Sequence, residues 1–157
     1  MMREVQIVDA GELAAAYAQA DYAVRLDGDT FRLKVGSAAG DVEAYWPAMH
    51  YAFITAWNPA SRPTSDAANQ RADSSLVAQL KAIGAPHQPA WAEDTSGDWR
   101  ESGWLVAGLE PHMLDALAHE FGQAGVLHWD QGRPVRLKMY LSRPPHVPPA
   151  AHIDWVE

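Results

Sequence analysis

The sequence predicts an α+β protein built on one mixed β-sheet with a ferredoxin-like βαββαβ core. From Tyr51 onward the hydrophobic patterns follow the order strand, helix, strand, strand, helix, strand, which is the order of that motif. Two strands are apolar on both faces, 51–57 and 104–107. They are expected to form a parallel central pair, with both helices on one face of the sheet. A helix and a β-hairpin precede this core, and an extra C-terminal strand follows it.

The two elements before the core have clear local signals. A helix is expected from Asp9 to Ala20, because an acidic capping residue stands before a stripe of apolar side chains. Residues Tyr22–Leu26 and Phe31–Val35 alternate apolar with polar side chains on either side of Asp27-Gly28. This pattern predicts a hairpin whose apolar side packs inward.

The first core strand and the helix after it are joined through an Asn-Pro pair. Residues Tyr51–Trp57 are nearly all apolar, so this strand is expected at the centre of the sheet. Asn58-Pro59 ends the strand, because proline cannot donate to a sheet ladder and restricts the residue before it. Either Thr64 or Ser65 is then expected to cap a helix that runs to Ile83.

The later elements follow from proline, glycine and alternation signals. They are an edge strand at 87–94, a strand at 99–108, a helix at 111–121, and strands at 124–129 and 134–141. One domain is therefore expected over residues 1–141. Residues 142–157 hold four of the 11 prolines and are expected to form an extended tail. The end of this tail, at Ile153 and Trp155, has the apolar character to dock on the body or on a partner.

Charge and cysteine content remove several classes of function. The formal net charge is −8, with 12 Lys and Arg against 20 Asp and Glu, which disfavours binding to nucleic-acid phosphates. There is no cysteine, so disulfides, thiol catalysis and thiolate metal sites are excluded, and a cytoplasmic location is expected. No stretch has the pattern of a signal peptide or a membrane span. The expected partners are a small ligand, another protein or a second copy of the chain, with no nucleic acid and no membrane.

Polar side chains gather at the joint between the first core strand and its helix. Asn58, Ser61 and Ser65 lie in the loop, and Asn69 falls on the core-facing stripe of the helix, one turn after its start. A buried Asn must find hydrogen-bond partners or cost roughly 1–3 kcal/mol. The last core strand is expected antiparallel beside the first, which brings Gln123 near Asn58.

This joint has two interpretations. In the structural one, Asn58 ends the strand, Ser65 caps the helix and Asn69 ties the loop down. In the functional one, the start of the helix binds an anion or a small polar ligand through free backbone N–H groups, with Arg71 nearby. The spacers in the loop are Pro and Ala, not the glycines of a phosphate-binding loop.

Glu101 and Ser102 are additional polar candidates at the start of an apolar strand. Because this strand is expected to run parallel to the first core strand, both residues are predicted to lie at the opposite end of the sheet from Asn58. General acid–base catalysis needs a raised carboxyl pKa and a partner group, and no second carboxylate stands at a suggestive spacing. No catalytic residue is therefore assigned.

One helix carries residues with the spacing of a metal site. His112, Asp115 and His119 share a helical face, but that face is opposite the apolar stripe, so a solvated surface is the favoured interpretation. The sequence has no nucleophile elbow, zinc-protease helix or dinucleotide fingerprint. No metal and no cofactor are predicted.

Several of these residues resemble the signature of a bacterial family, the domain of unknown function 3293. The matching residues are Ile54–Ser61, Ser65, Asn69, Arg71, Gly97–Ser102 and Phe121–Gln123. Glu101 and Ser102 are adjacent here and Gly103 follows, whereas family members often have a proline between the Glu and the Ser, or a bulky ring after the Ser. The family carries no established activity. The resemblance implies that its polar positions are matched by Asn58, Ser61, Ser65, Asn69, Arg71, Glu101 and Gln123.

The sequence therefore predicts a non-catalytic binding protein for a small anionic or polar ligand at the joint 58–69. The alternative is a protein-interaction module that uses a sheet edge, a sheet face or the C-terminal tail. An enzyme that uses Glu101 or a His together with Arg71 is the least favoured class. The first hypothesis predicts a cavity beside Asn58 and Asn69, and the second predicts an exposed cluster of Trp or Tyr side chains.

Overall fold

The computed structural model describes residues 9–59, 62–97 and 99–156. These residues form an α+β fold with four helices and one eight-stranded sheet. In chain order the elements are α1 (Ala10–Gln19), β1 (Asp21–Leu26), β2 (Asp29–Leu33), α2 (Gly40–Tyr45), β3 (His50–Ile54), α3 (Asp66–Ile83), β4 (His87–Glu93), β5 (Arg100–Ala107), α4 (Pro111–Glu120), β6 (Gly125–Asp130), β7 (Arg136–Met139) and β8 (Ile153–Trp155).

The strands lie in the order β2-β1-β4-β5-β3-β6-β7-β8. All neighbours are antiparallel except β7 and β8, which are parallel, so the sheet is mixed. The predicted α+β class is confirmed. The predicted hairpin is also confirmed, since β1 and β2 pair with Leu26 opposite Asp29.

The prediction that the two central strands are parallel is wrong. β3 and β5 are neighbours, but they pair antiparallel, with Ile54 opposite Trp104. The reason is the tight connection between β4 and β5, which makes these two strands antiparallel. Because β4 runs in the direction of β3, β5 has to run against both. The start of β5 therefore lies beside the end of β3.

The strand β4 is not the edge strand that its prolines suggested. It pairs with β1 on one side and with β5 on the other. The pairing with β1 covers only Ala90 to Glu93, whereas the pairing with β5 begins at His87. Pro89 therefore lies where β4 has no β1 partner, and its missing N–H leaves the ladder with β1 intact.

The helix ends follow the local signals in the sequence. Asp9 caps α1, with its Oδ1 accepting from Gly11 N at 2.6 Å. Ser65, and not Thr64, caps α3, with its Oγ accepting from Ala68 N at 3.1 Å. Gly84 ends α3 with a φ of 80°, a left-handed conformation that glycine adopts without strain. No helix within the described ranges is long and apolar enough to cross a membrane.

Both faces of the sheet are covered. On one face α3 and α4 pack against Ile54 and Val106, with Leu76 and Leu117 among the buried helix residues. The apolar side chains of the other face form a second core with residues of α1 and α2, and Tyr51 stacks on Trp129 there at 4.8 Å between ring centroids. β3 is thus buried on both sides, as its apolar run predicted.

The end of the C-terminal segment adds a strand to the sheet. β8 pairs parallel to β7 at the sheet edge, so Ile153 and Trp155 dock on the body of this chain. Asp154 fixes this strand through a two-pronged ion pair with Arg136, with N···O distances of 2.9 and 2.7 Å.

Candidate functional site

Two asparagine side chains tie the loop after β3 to the start of α3. Asn58 is 9% exposed and has a φ of 47°, and Asn69 is 2% exposed, as its place on the helical stripe predicted. Asn58 N donates to Asn69 Oδ1, and Asn69 Nδ2 donates to Asn58 Oδ1, both at 3.0 Å. Asn58 Oδ1 also accepts from Thr64 N at 3.0 Å. These bonds hold the loop in the way that the structural interpretation of the joint describes.

The same Asn58 side chain also contacts the start of β5. Its Nδ2 donates to Glu101 Oε2 at 2.8 Å, and Glu101 is only 7% exposed. The prediction that Glu101 lies at the opposite end of the sheet from Asn58 is therefore wrong. The cause is the antiparallel pairing of β3 with β5, which brings the start of one strand beside the end of the other.

Burial changes the acidity of Glu101. Loss of contact with water disfavours the carboxylate and raises the pKa of Glu101 from 4.5 to about 7, although the hydrogen bond from Asn58 opposes this rise. The phenol of Tyr22 is nearby, and its pKa is raised by burial and by the proximity of Tyr17 and Glu101. A carboxyl group that titrates near neutral pH thus lies near a tyrosine that keeps its proton and donates it to the carbonyl oxygen of Tyr17.

A partly open cavity lies beside Glu101. Its wall includes Glu101, Asn58 and Thr55 from the β3–β5 side, and Tyr17 and Tyr22 from the N-terminal elements. The volume of the cavity, counted as the space open to the centre of a water-sized sphere, is about 40 Å³. One water needs roughly 10–15 Å³ by that measure, so the cavity holds about three waters or a small chemical group.

Gln123 lies on the wall of the same cavity as Asn58, close to where the sequence placed it. Its Nε2 donates to the carbonyl oxygens of Trp57 at 3.1 Å and Phe121 at 3.3 Å. The antiparallel pairing of β6 with β3 produces this position, because the start of β6 meets the end of β3.

The other predicted site residues that the structure describes, Ser65, Asn69, Arg71 and Ser102, do not line the cavity. Ser65 is exposed and uses its hydroxyl to cap α3, and Arg71 is exposed on the same helix. Ser102 has an exposed side chain, and its carbonyl oxygen accepts from Thr55 Oγ1 at 2.6 Å. Ser61 lies outside the residues that the structure describes.

Among the lining residues that were not predicted as site residues are Tyr17, Tyr22, Thr55 and Trp99. Thr55 had a signal, because it interrupts the apolar run from Tyr51 to Trp57. Its hydroxyl donates to Ser102 O and accepts from Trp57 N at 3.0 Å, so it supports the end of β3. The two tyrosines had no such signal, since tyrosine in an amphipathic helix or strand usually packs in a core.

The helical face with His112 and His119 is exposed at both histidines and bonded to neighbouring side chains at Asp115. Both histidines are exposed, but Asp115 between them accepts hydrogen bonds from Lys138 Nζ at 2.8 Å and Tyr140 Oη at 2.7 Å. The face is therefore partly joined to β7. Within the described ranges, no group of three or more His, Cys, Asp or Glu residues could hold a metal ion.

The fold and this site define an α+β protein in which a buried amide–carboxylate pair, Asn58 and Glu101, borders a cavity at one end of the sheet. Residues 54–126 match the model of the family described as Protein of unknown function (DUF3293). This match confirms the resemblance seen in the sequence, and its range includes Asn58, Asn69, Glu101 and Gln123. No curated protein and no solved structure matches the chain.

Proposed function

We propose that this protein binds a small polar molecule in the cavity beside Asn58 and Glu101. The observation that carries the proposal is the buried carboxyl group of Glu101 on a cavity wall that also includes Thr55, Asn58 and Gln123. A few convergent polar groups in a mainly apolar pocket are the usual composition of a ligand site. Burial also raises the pKa of Glu101, and titratable groups with a shifted pKa in a cleft are frequent at functional sites.

The proposed site is next to the joint at 58–69, and not at the start of α3 itself. The amides of Asn58 and Asn69 bond to each other, and Ser65 already satisfies one N–H at the helix start. On the other side of Asn58 lies the cavity. Its described wall has one carboxyl group and no Lys or Arg. This charge favours an uncharged or cationic ligand over the anionic one that the sequence suggested.

A ligand screen with a cavity-filling variant tests this proposal. Ala92 lies on the wall of the cavity, so Ala92→Val places two methyl groups there, whereas Ala90 is buried on the same strand and does not line the cavity. The thermal unfolding midpoint of each variant is measured with amines, amides, alcohols and carboxylates of up to about six heavy atoms. We expect at least one compound to raise the midpoint of the natural protein and of Ala90→Val, but not that of Ala92→Val.

The screen contradicts the proposal if no compound raises the midpoint, or if the same compound stabilises Ala92→Val equally. Circular dichroism of both valine variants shows that each is folded. Overpacking of a core costs roughly 1–3 kcal/mol, so both variants have a lower starting midpoint, and only the change caused by the compound is compared.

A second candidate function is proton transfer to a bound molecule. The observation in its favour is that Glu101, with a pKa of about 7, lies on the wall of the cavity and can act as a general acid or base near neutral pH. Any compound that binds in the screen can be incubated with the protein and followed by mass spectrometry. Chemical change that is lost in Glu101→Gln favours an enzyme, and an unchanged compound favours a binding protein.

Three further expectations from the sequence remain proposals: an interaction role, a cytoplasmic location and a ferredoxin-like core. A protein-interaction module needs a cluster of exposed rings, whereas Trp99 and Tyr45, at 39% and 47%, are the most exposed rings among the described Trp and Tyr side chains, and Tyr45 packs on Phe31. A cytoplasmic location rests on the absence of cysteine. A ferredoxin-like core is supported by the strand order β4-β5-β3-β6.

A further inference from the structure

We infer that the cavity selects a small ammonium cation, with the carboxylate of Glu101 as its counter-ion. This inference rests on the proposed function and gives the chemical class of its ligand.

The first support is the charge of the wall. Glu101 is the one described lining residue that can carry a full charge at neutral pH, since the others are apolar, amide, hydroxyl or phenol side chains. A buried carboxylate without a positive partner is unfavourable, and a cation in contact with it offsets much of that cost. Asn58 donates only a neutral hydrogen bond to Oε2, so this partner is not supplied within the pair.

The second support is the aromatic composition of the wall. Four rings line the cavity, those of Tyr17, Tyr22, Phe53 and Trp99. The faces of aromatic rings attract ammonium groups within about 6 Å, and this attraction is stronger where water is excluded. One carboxylate on the same cavity wall as four rings is a combination that favours a cation over a neutral or anionic group of the same size.

The third support is the size of the cavity and the acceptors around it. A space of about 40 Å³ suits a primary ammonium group with one or two carbons. Such a group has three N–H donors. Gln123 uses its Nε2 for the carbonyl oxygens of Trp57 and Phe121, so its Oε1 is the part of the amide that accepts. Trp99 lines the same cavity and is 39% exposed, so the cavity meets solvent on the side of Trp99.

Protons and the cation compete for Glu101. The pKa of Glu101 is about 7 because of burial, so at pH 6 the cavity mostly holds a neutral carboxyl group and at pH 8 mostly a carboxylate. The phenols of Tyr17 and Tyr22 are the other titratable groups on the described wall, and the pKa of Tyr22 is raised well above this range. Ammonium binding is therefore stronger at pH 8 than at pH 6 and releases a proton.

The experiment is an NMR titration of the full chain with three probes of similar size, namely ethylammonium chloride, acetamide and sodium acetate, at matched ionic strength. The side-chain signals of Asn58, Gln123 and the Trp99 indole report on the cavity. We expect ethylammonium to shift them, with an affinity that rises several-fold from pH 6 to pH 8. Acetamide and acetate are expected to bind at least tenfold more weakly.

Two Glu→Gln variants give the matched comparison. Glu101→Gln removes the charge but keeps an oxygen that accepts from Asn58, so the variant is expected to fold. Glu43→Gln is the control, because Glu43 accepts from Trp129 Nε1 at 3.0 Å and Gly132 N at 2.8 Å and does not line the cavity. We expect ethylammonium to bind at least tenfold more weakly to Glu101→Gln and with unchanged affinity to Glu43→Gln.

Equal binding of ethylammonium to Glu101→Gln and the natural protein overturns the inference. Shifts with acetamide but not with ethylammonium also overturn it, yet leave the proposed function standing, because a neutral molecule then occupies the cavity. The absence of shifts with all three probes also overturns the inference. The proposed function is tested separately, by the ligand screen with Ala92→Val.

Discussion

The side-chain amide of Asn58 donates a hydrogen bond to the carboxyl group of Glu101 at 2.8 Å, between residues 43 positions apart in the chain. This bond joins the end of β3 to the start of β5. Asn58 also has a φ of 47°, a left-handed conformation that asparagine tolerates better than most residues. Both the side chain and the backbone of Asn58 therefore set the geometry of the site.

Asn58→Ala should lower the free energy of unfolding by about 3 kcal/mol, because Glu101, Asn69 and Thr64 each lose a buried partner. Asn58→Gly loses the same bonds but accepts the positive φ. We expect it to be about 1 kcal/mol more stable than Asn58→Ala. Urea denaturation followed by tryptophan fluorescence measures both values. Equal losses in the two variants would show that the backbone conformation contributes nothing.

Asn69→Ala should lower the free energy of unfolding by roughly 2 kcal/mol, since Asn58 N and Asn58 Oδ1 both lose their bonds to this buried amide. The neighbouring Gln70→Ala is the control, because Gln70 is exposed on the same helix and such changes usually stay within about 0.5 kcal/mol. Urea denaturation at one pH compares the two. If both variants lose the same small amount, the bonds between Asn58 and Asn69 do not stabilise the joint.

The raised pKa of Glu101 should make stability fall as the pH rises. Between its ordinary pKa of 4.5 and its folded pKa of about 7, the folded state keeps a proton that the unfolded state has lost. The contribution of Glu101 to the free energy of unfolding is therefore most favourable below about pH 4.5 and declines by up to ~3 kcal/mol by about pH 7.

Urea denaturation of the natural protein and Glu101→Gln at pH 5 and pH 8 measures this decline. The difference in free energy of unfolding between Glu101→Gln and the natural protein should be more favourable to the variant at pH 8 than at pH 5. Glu120→Gln is the control, because Glu120 is exposed at the end of α4 and accepts from Gln79. If Glu101→Gln and Glu120→Gln show the same dependence on pH, burial does not displace the titration of Glu101.

Asp154→Ala should loosen β8 from the sheet edge. The substitution removes the ion pair to Arg136 and the hydrogen bond to His128. The amide of Leu137 donates to His152 O at 2.9 Å, so its hydrogen exchange should accelerate when β8 detaches. Exchange measured by NMR compares this variant with Asp41→Ala, whose carboxylate is exposed at the start of α2. Unchanged exchange at Leu137 would mean that β8 pairs without the help of Asp154.

The sequence predicted the features that neighbouring residues determine. The Ser65 cap, the proline at the start of α4, the β1–β2 hairpin and the inward position of Asn69 each follow from a few adjacent residues. These signals act over one or two helical turns or across one tight turn, so one sequence is enough to identify them.

The direction of β5 could not be predicted in that way, because it depends on which strands meet across the sheet. That single error placed Glu101 at the wrong end, and Glu101 is the only carboxyl group on the part of the cavity wall that the structure describes. Tyr17 and Tyr22 were also missed, because their position at the cavity depends on contacts between distant parts of the chain. They reach the site because α1 packs near Gly125 of β6 and the ring of Tyr22 packs on Phe53 of β3, and no local pattern reports those contacts.

The packing of Tyr17 has a consequence for folding of the chain during its synthesis. A Cβ atom placed on Gly125 would lie 2.9 Å from Met139 Sδ and 3.1 Å from the ring of Tyr17, so α1 lies close to β6 and β7. A ribosome releases α1 before β7, which follows more than a hundred residues later. During synthesis the nascent chain therefore has no complete cavity, and α1 lacks its contacts with β6 and β7 until the last strands emerge.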